Sequence, residues 1–163
     1  QSSLTGHLVF STLHTNDAAG AISRLLDFGV EPYLVSSSLI AILAQRLLRR
    51  ICPNCKETYK PSATELKELG LGPDRLKDAE FHQGAGCDKC FDTGYRGRIG
   101  IYELMPINEE VRELIYRRES AGKIKKKALQ FGMKTLRMDG ARKAIAGTTT
   151  VAEVLRITQS DTM

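Results

Sequence analysis

The sequence predicts an α/β chain held in its middle by a closed metal site, and three observations carry that expectation. The chain's four cysteines fall into two CxxC pairs, Cys52–Cys55 and Cys87–Cys90. A continuous apolar run, Leu8-Val9-Phe10, stands near the start and gives way to helical periodicity, as for a strand buried on both faces and the helix after it. A second strand pattern, Ile99 to Met105, leads into four short capped helices.

Each CxxC turn points two thiolates at one spot, and two such turns complete an all-sulfur tetrahedron of the kind zinc favours. Pro53 sets the first turn, and Gly84 and Gly86 loosen the approach to the second. After it, Gly94, Gly97 and Gly100 permit close backbone packing. Three rival readings stay open: a pair of disulfides, a redox CxxC, and a site in which His82 replaces one of the later cysteines. No signal peptide favours the first and no thioredoxin-like pattern favours the second. A closed four-sulfur site has no open coordination position, so its expected role is structural, stapling a segment poor in apolar residues.

The elements follow in order. Leu8, Val9 and Phe10 read as the first strand, with Ser11, Thr12 and His14 clustered at its carboxyl end, the edge where ligands sit in open α/β sheets. His7, His14, Thr12 and Asn16 are therefore candidates for a polar site, weighed evenly against ordinary hydrogen-bonded structure. Thr15 or Asn16 caps the next helix, which carries Ala18, Ile22, Leu25 and Leu26 and stops at Gly29. Pro32 starts a long helix with an apolar stripe from Leu34 to Leu47. Its last turn holds Arg46, Arg49 and Arg50, which complement the helix dipole or reach a phosphate.

The metal segment spans 51–98. Within it Ser62 and Glu65 form a capping box for a helix carrying Leu66 and Leu69, and 71–85 reads as loop with one helical turn. In the strand 99–105, Ile99, Ile101, Glu103 and Met105 share one face. Helices capped by Asn108, Ser120 and Thr135, and one opened by a Thr150–Glu153 capping box, complete a small C-terminal bundle.

The 163 residues carry a net charge of +5 and are 42% apolar, with no tryptophan. The apolar run Leu39 to Ala44 is too short to cross a bilayer. The positive charge permits an acidic partner, yet Asp88, Asp92 and Glu57 beside the cysteines disfavour a zinc ribbon that binds nucleic acid. The run Lys123, Lys125, Lys126, Lys127 reads as a solvated helix face. No G-x-x-x-x-G-K-[ST] phosphate loop occurs. A strand beginning almost at residue 1, without an initiator Met, suggests a piece of a longer protein.

Several stretches together resemble the secretion ATPase superfamily. TGHLVFSTLHTNDA (5–18) looks like its histidine box. QRLLRR (45–50) running into the first CxxC, then GCDKCFDTGYRGR (86–98), resembles the branch of type II secretion assembly ATPases and type IV pilus extension ATPases. GMKTLRMDG (132–140), GTTT (147–150) and EVLR (153–156) match its carboxyl end. Retraction ATPases share the histidine box and lack the tetracysteine insert.

The resemblance implies the C-terminal portion of a RecA-like ATPase domain: core with histidine box in 1–50, tetracysteine zinc segment in 51–98, strand and helical subdomain in 99–163. It implies a homo-hexamer, cytoplasmic and peripheral on the inner membrane, that uses ATP and Mg²⁺ to work on an inner-membrane platform protein and binds no nucleic acid beyond ATP. Its Walker A and Walker B parts would lie upstream, leaving this stretch inactive alone. On this sequence His7 and His14 become the catalytic candidates, Thr12 and Asn16 supporting polar groups, and Arg24 and Arg46 phosphate-facing or inter-subunit residues. Cys52, Cys55, Cys87 and Cys90 match the family's zinc ligands.

Overall fold

The computed structural model describes residues 2–71 and 79–158. These divide into two compact units, each assembled from two stretches of chain: 1–44 with 103–134, and 45–102 with 135–163. Two long strands, β1 (Ala41–Ile51) and β4 (Tyr95–Pro106), pair with each other and contribute residues to both units.

The first unit is mainly helical. Helix α1 (Ala18–Asp27) is capped by Asp17, whose side chain accepts from the Gly20 N–H. The cap is thus Asp17 rather than the expected Thr15 or Asn16. α2 (Pro32–Ser38), α4 (Glu109–Tyr116, capped by Asn108) and α5 (Ala121–Gln130, capped by Ser120) complete the unit. Their buried Ile22, Val35, Val111, Ile115 and Ile124 meet Met105 of β4 in one core. Beneath α1 lies Glu103, 1% exposed, whose Oε1 accepts from the Ala18 N–H at 2.8 Å.

Two expectations fail here. Leu8, Val9 and Phe10 form no strand: they run irregularly, and Phe10 is 89% exposed. A strand buried on both faces needs hydrogen-bonded neighbours, and among the described residues none pairs with this stretch. The long helix from Pro32 to Arg50 also does not exist. α2 stops at Ser38, where the hydroxyls of Ser36, Ser37 and Ser38 bond back to the Tyr33 and Leu34 carbonyls and compete with further helical turns. Leu39 turns extended at ψ 132°, and β1 begins. Along β1 the half-buried Ile42, Ala44 and Arg46 and buried Leu48 alternate with exposed Leu43, Gln45 and Leu47, a period of two. Arg46, Arg49 and Arg50 consequently sit on a strand, not at a helix carboxyl end.

The second unit holds the cysteines. A short hairpin pairs β2 (Lys56–Tyr59) with β3 (Phe81–Gly84) in antiparallel register, Lys56 opposite Gly84 and Tyr59 opposite Phe81. The stretch 71–85 is expected to be loop with one helical turn, and β3 lies within it; residues 72–78 of the stretch lie outside the described residues. α3 (Ala63–Glu68) has the predicted capping box, Ser62 with Glu65. α6 (Leu136–Ile145, capped by Thr135) and α7 (Val151–Ile157, capped by Thr150) pack together. The four C-terminal helices are therefore divided, α4 and α5 in the first unit, α6 and α7 in the second.

β4 carries the predicted face, with Ile101, Glu103 and Met105 buried and Tyr102 and Leu104 exposed. It starts earlier than expected, at Tyr95, and is irregular near that end. The Cys52 N–H donates to the Gly94 carbonyl at one end of the β1–β4 ladder and the Ile107 N–H to the Ile40 carbonyl at the other. That is one residue more on β4 than on β1. Within β4, Gly97 stands at φ +78°, the left-handed conformation that bulges of one kind use.

Candidate metal centre and polar segment

Two backbone turns bring the four cysteines together. Cys52–Cys55 closes with a Cys55 N–H to Cys52 carbonyl hydrogen bond, and Cys87–Cys90 forms a single 3₁₀ turn closed by Cys90 N–H to Cys87 carbonyl. Gly84 and Gly94 let the two loops touch. A Cβ added to Gly84 would lie 2.1 Å from the Gly94 carbonyl oxygen, and one added to Gly94 would lie 2.5 Å from the Gly84 oxygen. No larger residue fits at either place.

The sulfurs all lie within 4.8 Å of one another. Three of the separations are 4.0 Å (Cys52–Cys87), 3.8 Å (Cys55–Cys90) and 3.7 Å (Cys87–Cys90). A tetrahedron with metal–sulfur bonds of ~2.3 Å has edges of about 3.8 Å, so the four atoms stand at zinc-site spacing, and all four cysteines are free. His82 is not among the clustered donors; it sits on β3 opposite Thr58.

Donors aim at these sulfurs as they would at thiolates. Cys90 Sγ accepts from the N–H groups of Cys87 and Gly94, each at 3.3 Å, and Cys87 Sγ accepts from Asn54 Nδ2 at 3.3 Å. Burial pushes the Cys87 thiol up, but hydrogen bonds led by the Asn54 donor outweigh it and leave the pKa lowered to about 7. Burial, with the neighbouring sulfurs, pushes Cys55 up to about 12. One sulfur is thus poised to ionise and another resists, and a divalent cation is what would deprotonate all four together. The role of Asn54 was not anticipated; its signal was an amide placed inside the CxxC turn.

The remaining candidates occupy other surfaces. His7, Thr12, His14 and Asn16 lie on the irregular stretch before α1, all exposed, and His7 Nδ1 is 3.1 Å from Thr5 Oγ1. Arg24 is exposed on α1, its guanidinium 4.7 Å from the Phe28 ring centroid. Arg46 is half-buried on the part of β1 that belongs to the second unit. Lys123 pairs with Glu119 and Lys125 with Asp17, so part of the lysine run is paired along its own unit.

The four clustered sulfurs and the stretch carrying His7 and His14 each belong to a chain whose relatives are known. The chain belongs to the family described as Type II/IV secretion system protein, whose model matches residues 1–156. It is 50% identical over 155 residues to the type IV pilus assembly ATPase PilB of Thermus thermophilus, covering 95% of this chain and 17% of that protein. It is 48% identical over 161 residues to the type II secretion system protein E of Pseudomonas aeruginosa, covering 99% of this chain and 32% of the relative. PilB of Myxococcus xanthus is also 48% identical, with 29% of its length covered. The chain thus spans a third or less of these relatives. In fold it resembles the crystal structure of the pilus retraction motor PilT with bound ADP, at TM-score 0.60 and 21% identity, covering 98% of this chain and 36% of that one.

Proposed function

We propose that the chain is the C-terminal part of an assembly ATPase that drives a type II secretion pseudopilus or a type IV pilus. The sulfur cluster carries this reading: four cysteines at zinc-site spacing in a chain about half identical to protein E and PilB relatives. In this reading Cys52, Cys55, Cys87 and Cys90 hold a structural Zn²⁺, which ties two loops that share little apolar core.

His7 and His14, supported by Thr12 and Asn16, face the phosphates of ATP·Mg²⁺, and Arg24 and Arg46 serve phosphate or neighbouring subunits. The working protein is a homo-hexamer on the cytoplasmic face of the inner membrane, acting on a platform protein there. RecA-like core residues occupy 1–50, the zinc segment 51–98, and the strand with its helices 99–163. Among the described residues no helix is long and apolar enough to cross a membrane. The 163 residues hold no G-x-x-x-x-G-K-[ST] loop, so hydrolysis draws on residues outside them.

Phosphate release from ATP tests the reading. The 163-residue chain alone will release none. In the full-length protein, His14→Ala will lower kcat by roughly 10²-fold with little change in KM, as for loss of a group acting in the transition state. Turnover by the chain alone, or unchanged kcat in the variant, would refute it.

A further inference from the structure

From Ser120 to Lys134 the chain holds five lysines and no acidic residue. On α5 the lysines sort by helical geometry. Ile124 and Ala128 are buried, and Lys125, flanking them, pairs with Asp17 at 3.5 Å. Lys123, Lys126 and Lys127 stand at spacings of three and four on the opposite side, the first two exposed and Lys127 half-buried. The Lys127 ammonium lies 5.8 Å from the ring centroid of Phe131, which is 54% exposed just past the end of α5. Ring and lysines therefore share one surface.

The helix gains little from these charges. Lys127 suits its last turn, but Lys123 sits in the first turn, where the dipole disfavours a cation. The spacing of Lys123 from Lys126 and Lys127 also sets like charges against one another. Glu119 answers Lys123 at 2.8 Å, whereas among the described residues Lys126 and Lys127 are in no ion pair.

We propose that Lys123, Lys126 and Lys127, with Phe131, form a docking surface for an anionic lipid layer. Lysine ammonium groups are point charges without the fork by which arginine reads carboxylates or base edges. Such charges add up against a diffuse anionic layer rather than fix one partner. The ring beside them supplies an apolar contact that seats at the headgroup boundary. Single-stranded nucleic acid calls for a run of stacking rings, and this surface offers one. Contact by one copy is weak and reversible, because charge and a single ring fall short of a lasting anchor. The surface supplies the contact that the peripheral membrane placement proposed above leaves unnamed, and it rests on that reading for which membrane is met.

Co-sedimentation of the 163-residue chain with vesicles tests this, comparing phosphatidylglycerol mixed into phosphatidylcholine with phosphatidylcholine alone. Labelled oligothymidine is measured beside them. No ATP is present, so failure here leaves the hydrolysis test of the ATPase reading untouched. The chain will sediment with the anionic vesicles and not with the neutral ones, and added salt will release it. Lys126→Gln combined with Lys127→Gln will weaken binding roughly tenfold, and Phe131→Ser will weaken it about threefold. Lys67→Gln, at an exposed lysine on α3 in the other unit, will have little effect. The proposal falls if no vesicle binds the chain, if neutral vesicles bind it equally, or if oligothymidine binds more tightly. It falls if the double lysine variant or Phe131→Ser leaves vesicle binding unchanged. It falls equally if Lys67→Gln weakens binding as much, since net charge alone would then be the attraction.

Discussion

Arg49 and Glu153 are joined by three hydrogen bonds: the Arg49 backbone N–H and Nε each donate to Oε1 at 3.1 Å, and Nη2 donates to Oε2 at 2.7 Å. Glu153 is fully buried and also accepts two bonds from Arg156. The Arg49 guanidinium lies 4.1 Å from the Tyr95 ring centroid, and the Tyr95 hydroxyl is 2.8 Å from Thr150 Oγ1. One carboxylate thereby ties the end of β1 to α7. Glu153 was expected to return to its own helix start in a capping box; its carboxylate goes to the two arginines instead.

This arrangement sets an acid limit on stability. Burial pushes the Glu153 carboxyl up, but hydrogen bonds from Arg156 and Arg49 more than reverse that and leave the pKa lowered to about 2. A depressed carboxylate stabilises the fold above its unfolded value of about 4.3, and the contribution disappears as pH falls from there toward 2. Glu153→Gln will lower stability at pH 7 by about 2 kcal/mol and flatten the acid limb of the Tm–pH curve. An acid limb identical to the wild type's would show that another group sets it.

Metal removal should be felt locally. Elemental analysis will find one zinc per chain with four protected thiols. Chelation or Cys87→Ser will raise amide hydrogen exchange in the two cysteine loops and the β2–β3 hairpin, leaving α4 and α5, which belong to the other unit, protected. Four reactive thiols without bound metal, or exchange rising equally in α4 and α5, would contradict the local staple.

Packing of α6 on α7 depends on the missing side chain of Gly140. A Cβ there would stand 2.6 Å from Val154 Cγ1. Gly140→Ala should destabilise by roughly 1–3 kcal/mol through overpacking, although alanine is the better helix former. Pairing it with Val154→Ala should recover part of the loss. A stabilised single variant would mean that the two helices separate easily.

Arg137 is 7% exposed and meets no carboxylate among the described residues. Its Nη1 donates to the Glu68 carbonyl at 2.7 Å, and its Nε and Nη2 to the Thr158 hydroxyl and carbonyl at 3.0 and 2.8 Å. One guanidinium thus caps the carboxyl ends of α3 and α7, where positive charge is favoured. Arg137→Lys keeps the charge and loses the fork, and should cost about 1–2 kcal/mol with faster exchange at both helix ends. Exchange changed at neither end would refute the double cap.

What the sequence disclosed was mostly short-range. Ser62, Asn108, Ser120, Thr135 and Thr150 were legible as caps because each bonds to a backbone amide three residues away. The sulfur cluster was legible because each CxxC turn preassembles half of it. β1 was not, because Leu39 to Leu48 is apolar on both faces and fits a helical stripe as well as a strand. The hairpin strands β2 and β3 are too short to show a period. Arg137 and the Arg49–Glu153 link stayed hidden because their partners are remote in sequence and nothing local marks them. The roles of His7 and His14 rest on family resemblance, since both are exposed on a stretch without regular structure.

The carboxylate of Glu103 bears on how that stretch could meet the phosphate proposed for it. Helix amino ends commonly seat phosphates through bare amides. At α1 the Ala18 amide is already held by Glu103 and the Gly20 amide by Asp17, which also pairs with Lys125, so neither amide is free for a phosphate. If a nucleotide meets residues 7–16 as proposed, these two amides are already taken, and the imidazole, hydroxyl and amide side chains of the stretch are left to hold it. Discrimination there would depend on side-chain identity, and single substitutions would be felt in full.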